Sequence, residues 1–450
     1  MSEPTYAELI RELFPRLAGG VRWGLERTEW LLESVGSPHL AYRTLHIAGT
    51  NGKGSVAATA AALLSSAGYR TGLYTSPHVC TFRERMQVDG RPISEEALLA
   101  AARRLWPLIQ ESGATFFEAT TAIAFLALAD AGVEWAVVEV GLGGRLDSTN
   151  VLRPEVSVVT NVALDHAELL GRTRLAIARE KAGIIKAGVP IVTAETDPAV
   201  LRIIRERAAS VAAPFHVLDP DDIESVSWDE TGTRFTLRSV AWGGLDLATP
   251  LIGRHQAVNT ALAVRALELL PEAERPSVDD VRIGVSRVRW PGRVQIERIE
   301  GVTWVFDGAH NPAAAGALAS TLEGLTLPRP LVLVVGILAD KNWAPMLSAL
   351  GRGTDHVVLT VPPSAPPHRR WDPELAAPRV KGRQSPLVEP DFSAALSTAR
   401  SLAGGGTILV TGSLHTVGDA LLALGRPPAD DLLGLGESAM PSLPADAARV

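Results

Sequence analysis

The 450-residue chain exceeds the ~250–300 residues at which a single hydrophobic core stops growing, so two domains are expected. Hydrophobic residues make up 46%, charged residues 21% and the formal net charge is -7, a globular balance without the basic excess that nucleic acid or an anionic membrane attracts. Apolar runs such as residues 331–338 fall far short of the ~20 residues that cross a bilayer, the start carries Glu3 and Glu8 rather than an apolar leader, and a single cysteine, Cys80, excludes an intrachain disulfide framework, so a reducing cytoplasm fits best.

Short β-branched runs alternate with alanine-rich helical stretches, the pattern of an α/β fold with a mainly parallel sheet. Strands are expected over residues 44–48, 71–75, 135–140, 156–161 and 190–194. Between about 214 and 249, Thr, Val and Trp alternate with polar residues around Gly232 and Gly243-Gly244, which predicts an antiparallel β element. A second alternating series, at 304–307, 331–336, 356–361 and 407–411, predicts a smaller α/β domain. Pro291 and Gly292, within Val288-Arg289-Trp290-Pro291-Gly292-Arg293, interrupt helix and strand alike and place the hinge there. The Pro-rich stretch 361–367 reads as a loop, and residues 427–450, rich in Pro, Ala and Asp, as a disordered tail.

After the first expected strand comes Gly49-Thr50-Asn51-Gly52-Lys53-Gly54-Ser55, followed by a helical run over 56–65. Glycines let backbone N–H groups converge on phosphate oxygens, a helix N-terminus adds the positive end of its dipole, and Lys53 adds a mobile point charge. The spacing departs from G-x-x-x-x-G-K-[ST], since the first spacer is two residues and Gly54 separates Lys53 from Ser55. A glycine turn without a ligand would explain the loop but not the lysine.

The loop is followed in order by Tyr74-Thr75-Ser76-Pro77-His78, Phe82-Arg83-Glu84-Arg85, Thr115-Phe116-Phe117-Glu118, Glu139-Val140-Gly141-Leu142-Gly143-Gly144-Arg145-Leu146-Asp147 and Leu164-Asp165-His166. Glu180-Lys181, His255-Gln256 with Asn259, Trp290-Pro291-Gly292-Arg293, Asp307-Gly308-Ala309-His310-Asn311-Pro312 and Thr411-Gly412-Ser413-Leu414-His415 complete the series. Across residues 24–418 this set resembles the folylpolyglutamate synthase and dihydrofolate synthase branch of the Mur ligase family. The resemblance implies an N-terminal P-loop domain, mainly parallel in its sheet, that binds ATP and folate over 1–290, and a Rossmann-like glutamate-ligase domain over 291–426.

It further implies an ATP-dependent amide ligase, using Mg²⁺ as two ions, that adds L-glutamate to dihydropteroate and to reduced folates through an acyl phosphate. Small molecules, and neither nucleic acid nor membrane, are then its partners, and a monomer is expected. ATP would be held by Asn51, Gly52, Lys53, Gly54 and Ser55 with Asn259, Arg293 and Asp307. Arg293 suits phosphate by its permanently charged fork, and Asp307 suits ribose hydroxyls. Ser76, Glu139, His166 and a carbamylated Lys181 would hold metal, with Lys53, His166, Lys181 and His310 as the catalytic set. Taken singly, Glu139 also suits a sheet-end ion pair, His166 an ordinary hydrogen-bonded histidine and His310 a turn residue.

Gly24, Leu25, Glu26 and Arg27, Thr115 to Glu118, and Leu146, Asp147 and Ser148 match segments that contact the pterin or folate, while His310 and Ser413 match the glutamate side. Phe116 and Phe117 could stack on a pterin or pack in the core. His415 resembles the type with both activities, whereas Gly19-Gly20-Val21-Arg22-Trp23 departs from the usual approach to the folate loop. Three alternatives stay open: folylpolyglutamate synthase alone, a cell-wall Mur ligase, and a nucleotide switch without ligase activity. Cys80 is expected to be a small packed residue rather than a nucleophile.

Overall fold

The computed structural model describes residues 5–20, 22–380 and 385–428; Val21, and residues 429–450 of the expected tail, lie outside them. Three sheets organise the described residues. The first contains β1 (Arg43–Ala48), β2 (Thr71–Tyr74), β3 (Met86–Val88), β4 (Arg91–Pro92), β5 (Trp135–Glu139), β6 (Val156–Val159), β7 (Ile191–Thr193) and β8 (Phe215–Val217). Their order is β4-β3-β2-β5-β1-β6-β7-β8, parallel from β2 to β8, with β3 and β4 antiparallel at the edge. Strands covered on both faces read as continuous apolar runs, and β5 is buried at every position.

The helix Lys53–Ser66 buries almost its whole circumference against this sheet and the helices Arg254–Glu268 and Val278–Arg287. Its alanines allow that closeness, and Gly284 completes it, since a Cβ there would meet the Leu63 backbone at 2.8 Å. The all-round apolar helix Phe116–Asp130 seals the other face, together with Glu95–Ser112, which starts at the Ser94 cap and ends at Gly113.

The region expected to be antiparallel forms β9 (Ile223–Asp229), β10 (Gly232–Ser239) and β11 (Gly243–Thr249), paired as β11-β10-β9. Its first residues, Phe215–Val217, instead extend the parallel sheet as β8. The third sheet holds β12 (Gln295–Ile299), β13 (Val302–Phe306), β14 (Leu331–Val335), β15 (His356–Leu359), β16 (Leu387–Val388) and β17 (Thr407–Thr411), ordered β12-β13-β17-β14-β15-β16. All its pairings are parallel except β12 with β13. Residues 288–294, between the Val278–Arg287 helix and β12, carry neither helix nor strand. No helix among the described residues is long and apolar enough to cross a membrane.

Candidate active site

The loop after β1 is shaped from both sides. Gly49 has φ +151°, and a Cβ there would lie 1.8 Å from Thr160 Oγ1; Gly52 has φ +86°, and its Cβ would lie 2.4 Å from Asn259 Oδ1. Glycine is therefore required twice, for conformation and for space. The residues after β6 brace the loop: Thr50 N donates to Asn161 O at 2.9 Å, Asn51 N to Asn161 Oδ1 at 3.2 Å, and Thr160 Oγ1 to Asn51 O at 2.7 Å. Lys53 opens the following helix, its Nζ 3.3 Å from Thr50 O and 3.7 Å from Glu139 Oε1. The Ser55 hydroxyl is buried without a hydrogen-bond partner, an orphan that a phosphate-bound cation would satisfy.

Glu139 ends β5, where ligands of an open parallel sheet collect. Burial pushes its carboxyl up, countered by Lys53 and by the Ser76 N–H, which donates to Oε2 at 3.2 Å. Lys181 is buried and donates to Gly49 O at 2.6 Å. Burial, reinforced by Lys53, brings its amine down to about 7, which leaves a large neutral fraction at physiological pH.

A second cluster joins the two α/β halves through Asp165. Its carboxylate lies 2.6 Å from Lys341 Nζ, 3.4 Å from His310 Nε2 and 3.1 Å from Asn311 Nδ2. Burial opposes its ionisation, but His310, Lys341 and His166 outweigh that and hold the carboxyl well below the usual range. Asn311 also donates to Asn51 Oδ1 at 2.8 Å, so the phosphate loop touches the second domain directly. His166, in a left-handed conformation, has its Nε2 3.5 Å from Lys341 Nζ. Desolvation and that ammonium lower its pKa to about 4, so the imidazole is neutral at physiological pH. Among the described residues no three His, Cys, Asp or Glu side chains converge as a ready-made metal site.

The remaining candidates have local partners. Asn259 Nδ2 donates to Gln256 Oε1 at 3.0 Å. Arg293 donates to Gly292 O, and Asp307 accepts from Val294 N at 3.0 Å and Ala309 N at 2.8 Å, so this carboxylate anchors the connecting segment. Ser413 caps the Leu414–Ala423 helix by accepting from Thr416 N, and is buried.

Two of the segments expected to contact the pterin or folate meet across 91 residues. Arg27 Nε donates to Glu118 Oε1 at 2.9 Å, just inside the Glu26–Glu33 helix that Gly24 and Leu25 lead into. Thr115 and Glu118 form a reciprocal capping box, a helix-start device that the residue spacing also encodes. Phe116 is fully packed among Phe14, Phe82 and Phe117, so packing wins over stacking at that position. Phe117 is half-buried; a Cβ on Gly141 would touch both its ring, at 2.8 Å, and Asp147 Oδ2, at 3.2 Å. Asp147 accepts from Leu142 N at 2.8 Å and from the Thr149 hydroxyl at 2.5 Å, and starts the short turn Ser148–Val151 beside the half-buried Leu146.

Asp165, Asn311 and Lys341 were not assigned roles from sequence. Lys341 lies just beyond β14 in Asp340-Lys341, and a charged residue past the carboxyl end of a parallel strand is the signal that could have found it.

A glycine-lysine loop on one mainly parallel sheet, met by side chains from a second α/β domain, defines a two-domain P-loop protein. Residues 47–267 match the Mur ligase middle domain, and residues 292–414 the glutamate ligase domain of Mur ligases. The chain belongs to the Mur ligase family, in its folylpolyglutamate synthase/dihydrofolate synthase branch. The dihydrofolate synthase/folylpolyglutamate synthase of Bacillus subtilis is 40% identical over 345 residues, 74% of this chain and 80% of the relative. Mycobacterium tuberculosis folylpolyglutamate synthase complexed with ADP superposes with a TM-score of 0.86 at 34% identity, covering 94% of this chain and 99% of that one. Escherichia coli FolC in complex with DHPP and ADP gives a TM-score of 0.82 at 31% identity, covering 94% and 99%.

Proposed function

We propose that the protein joins L-glutamate in amide linkage to dihydropteroate, giving dihydrofolate, and to reduced folates, lengthening their glutamate chain, with ATP converted to ADP and phosphate. The observation that carries this reading is the bond between Asn51 of the phosphate loop and Asn311, which follows His310: nucleotide and incoming amine would share one cleft. The relatives' dihydrofolate synthase and folylpolyglutamate synthase activities support this choice of products.

A carboxylate oxygen is a poor leaving group, so activation is needed. An acceptor carboxylate oxygen attacks the γ-phosphorus, the O–P bond forms and ADP departs. The glutamate nitrogen then attacks the acyl carbon, phosphate leaves and the amine proton is lost. Gly52, Lys53 and Gly54 would hold the phosphates, while Asn259, Arg293 and Asp307 would hold the rest of ATP from both sides of the cleft. The oxygen donors of Ser55, Ser76 and Glu139 and the neutral imidazole of His166 would hold Mg²⁺, a cation that needs only one or two carboxylates from the protein. Its contribution would be neutralising phosphate charge.

The neutral amine of Lys181 can attack CO₂, forming a carbamate and releasing a proton, which turns a buried cation into an oxygen ligand. His310 and Ser413 would receive glutamate; Arg27, Phe117, Glu118 and Asp147 would form or support the acceptor site. The protein would act as a cytoplasmic monomer. Acceptor labelled with ¹⁸O in its carboxylate tests the chemistry: label is expected in the released phosphate, and unlabelled phosphate would exclude the acyl phosphate.

A further inference from the structure

Arg85 is a buried cation without an anion. Only 5% of it is exposed, and its Nη1 is buried with no hydrogen-bond partner. Its Nε donates to His78 Nδ1 at 2.9 Å, and its guanidinium lies over the rings of Phe82 and Phe116, 5.7 and 5.3 Å from their centroids. Because His78 accepts through Nδ1, and an imidazole carries no negative charge, it orients the guanidinium without neutralising it.

The acidic groups close enough to act on Arg85 are committed elsewhere. Glu84 accepts the backbone N–H groups of Val79, Cys80 and Thr81. Glu139 pairs with Lys53 and the Ser76 N–H. Neither forms an ion pair with Arg85 among the described residues. Arginine does not shed its proton inside a protein, so it must be paired or carry the full cost of desolvation. Fixing this fork between two rings and a neutral histidine prepares it for a planar anion.

Its position narrows the anion. Arg85 O accepts from Thr75 N at 3.0 Å, which places its backbone beside the Ser76 segment, whose N–H meets Glu139 at the end of β5, while Phe116 beneath it begins the Thr115–Glu118 segment. Its anchor His78 borders a cavity of about 240 Å³ shared with Trp290 and Arg293 of the connecting segment. We propose that Arg85 binds the carboxylate of the acceptor substrate, the group to be phosphorylated, between the pterin segments and the phosphate loop. This rests on the ligase reading above.

The test is equilibrium binding of dihydropteroate and of its carboxamide analogue to the full chain, wild type and Arg85→Gln, with thermal unfolding of both ligand-free proteins. The variant is expected to lose at least tenfold in affinity for the acid and nothing for the carboxamide, with a melting temperature unchanged or raised because an unpaired buried charge is gone. Equal loss for both probes, or a lower melting temperature with unchanged binding, overturns the proposal and makes Arg85 structural. Should Arg85→Gln not fold, Arg85→Lys keeps the charge without the fork: at least threefold weaker binding of the acid is expected, and wild-type affinity overturns the assignment. Wild-type protein that binds neither probe overturns the dihydropteroate reading, and this assignment with it.

Discussion

Lys341 Nζ lies 2.6 Å from Asp165 Oδ1 with both side chains more than nine-tenths buried, so a cation of the second domain is neutralised by a carboxylate of the first. Removing one partner of a buried pair strands the other, typically at a cost of ~3–5 kcal/mol. Asp165→Asn is therefore expected to weaken the apposition of the domains and to lower kcat/KM for glutamate by at least ~tenfold, about 1.4 kcal/mol in transition-state stabilisation. Steady-state kinetics at saturating ATP check this, and an unchanged kcat/KM would contradict it.

Lys53→Ala is expected to reduce turnover by ~100-fold or more with the fold retained. Its amine makes only a 3.3 Å contact with Thr50 O and a 3.7 Å pairing with Glu139, so little stability rides on it. Turnover within a few fold of wild type would remove Lys53 from the phosphate site.

Glu118 both closes the Thr115 capping box and accepts from Arg27. Glu118→Ala should cost ~1–3 kcal/mol in urea unfolding, from the lost cap and the unpaired Arg27. It should raise KM for dihydropteroate while leaving KM for ATP alone. A rise in both would make the segment a general support rather than part of the acceptor site.

Three histidines predict acid sensitivity. Burial lowers His46 and His78 to about 3 and His255 to about 4, below the 6.5 of an unfolded histidine. Between these values the unfolded chain binds more protons than the native one, so stability is lost as pH falls from 6.5 toward 4. Roughly three protons taken up on unfolding near pH 5 are expected from these groups, each worth about 1.4 kcal/mol per pH unit. Urea unfolding across this range reads it, and a flat profile would contradict the burial.

Cys80 is half-buried, with Sγ 3.7 Å from Gly418 O, and burial pushes its thiol up to about 12. A thiol in that state is a poor nucleophile. Cys80→Ser should leave ligation within about twofold of wild type, because the mechanism assigns it no role; abolished turnover in folded protein would contradict this.

What the sequence made legible was what repeats or punctuates locally. β1, the glycine loop and the Lys53–Ser66 helix follow from apolar run, Gly49 and Gly52, and alanine content in turn. β3 and β4, of three and two residues, are too short for alternation to register. Phe116 and Phe117 are chemically identical, and only the fold separates the packed ring from the half-open one. The Thr115–Glu118 spacing spelled a capping box as clearly as a ligand segment. The Asp165–Lys341 pair spans 176 residues, a contact that no local pattern encodes.

ADP release by the purified protein with Mg²⁺ and ATP, on dihydropteroate and on tetrahydrofolate, each with and without L-glutamate, tests the central claim most directly. Glutamate-dependent release with both acceptors is predicted. Release with one alone would narrow the activity to that synthase, and slow release indifferent to glutamate with either would contradict the ligase account.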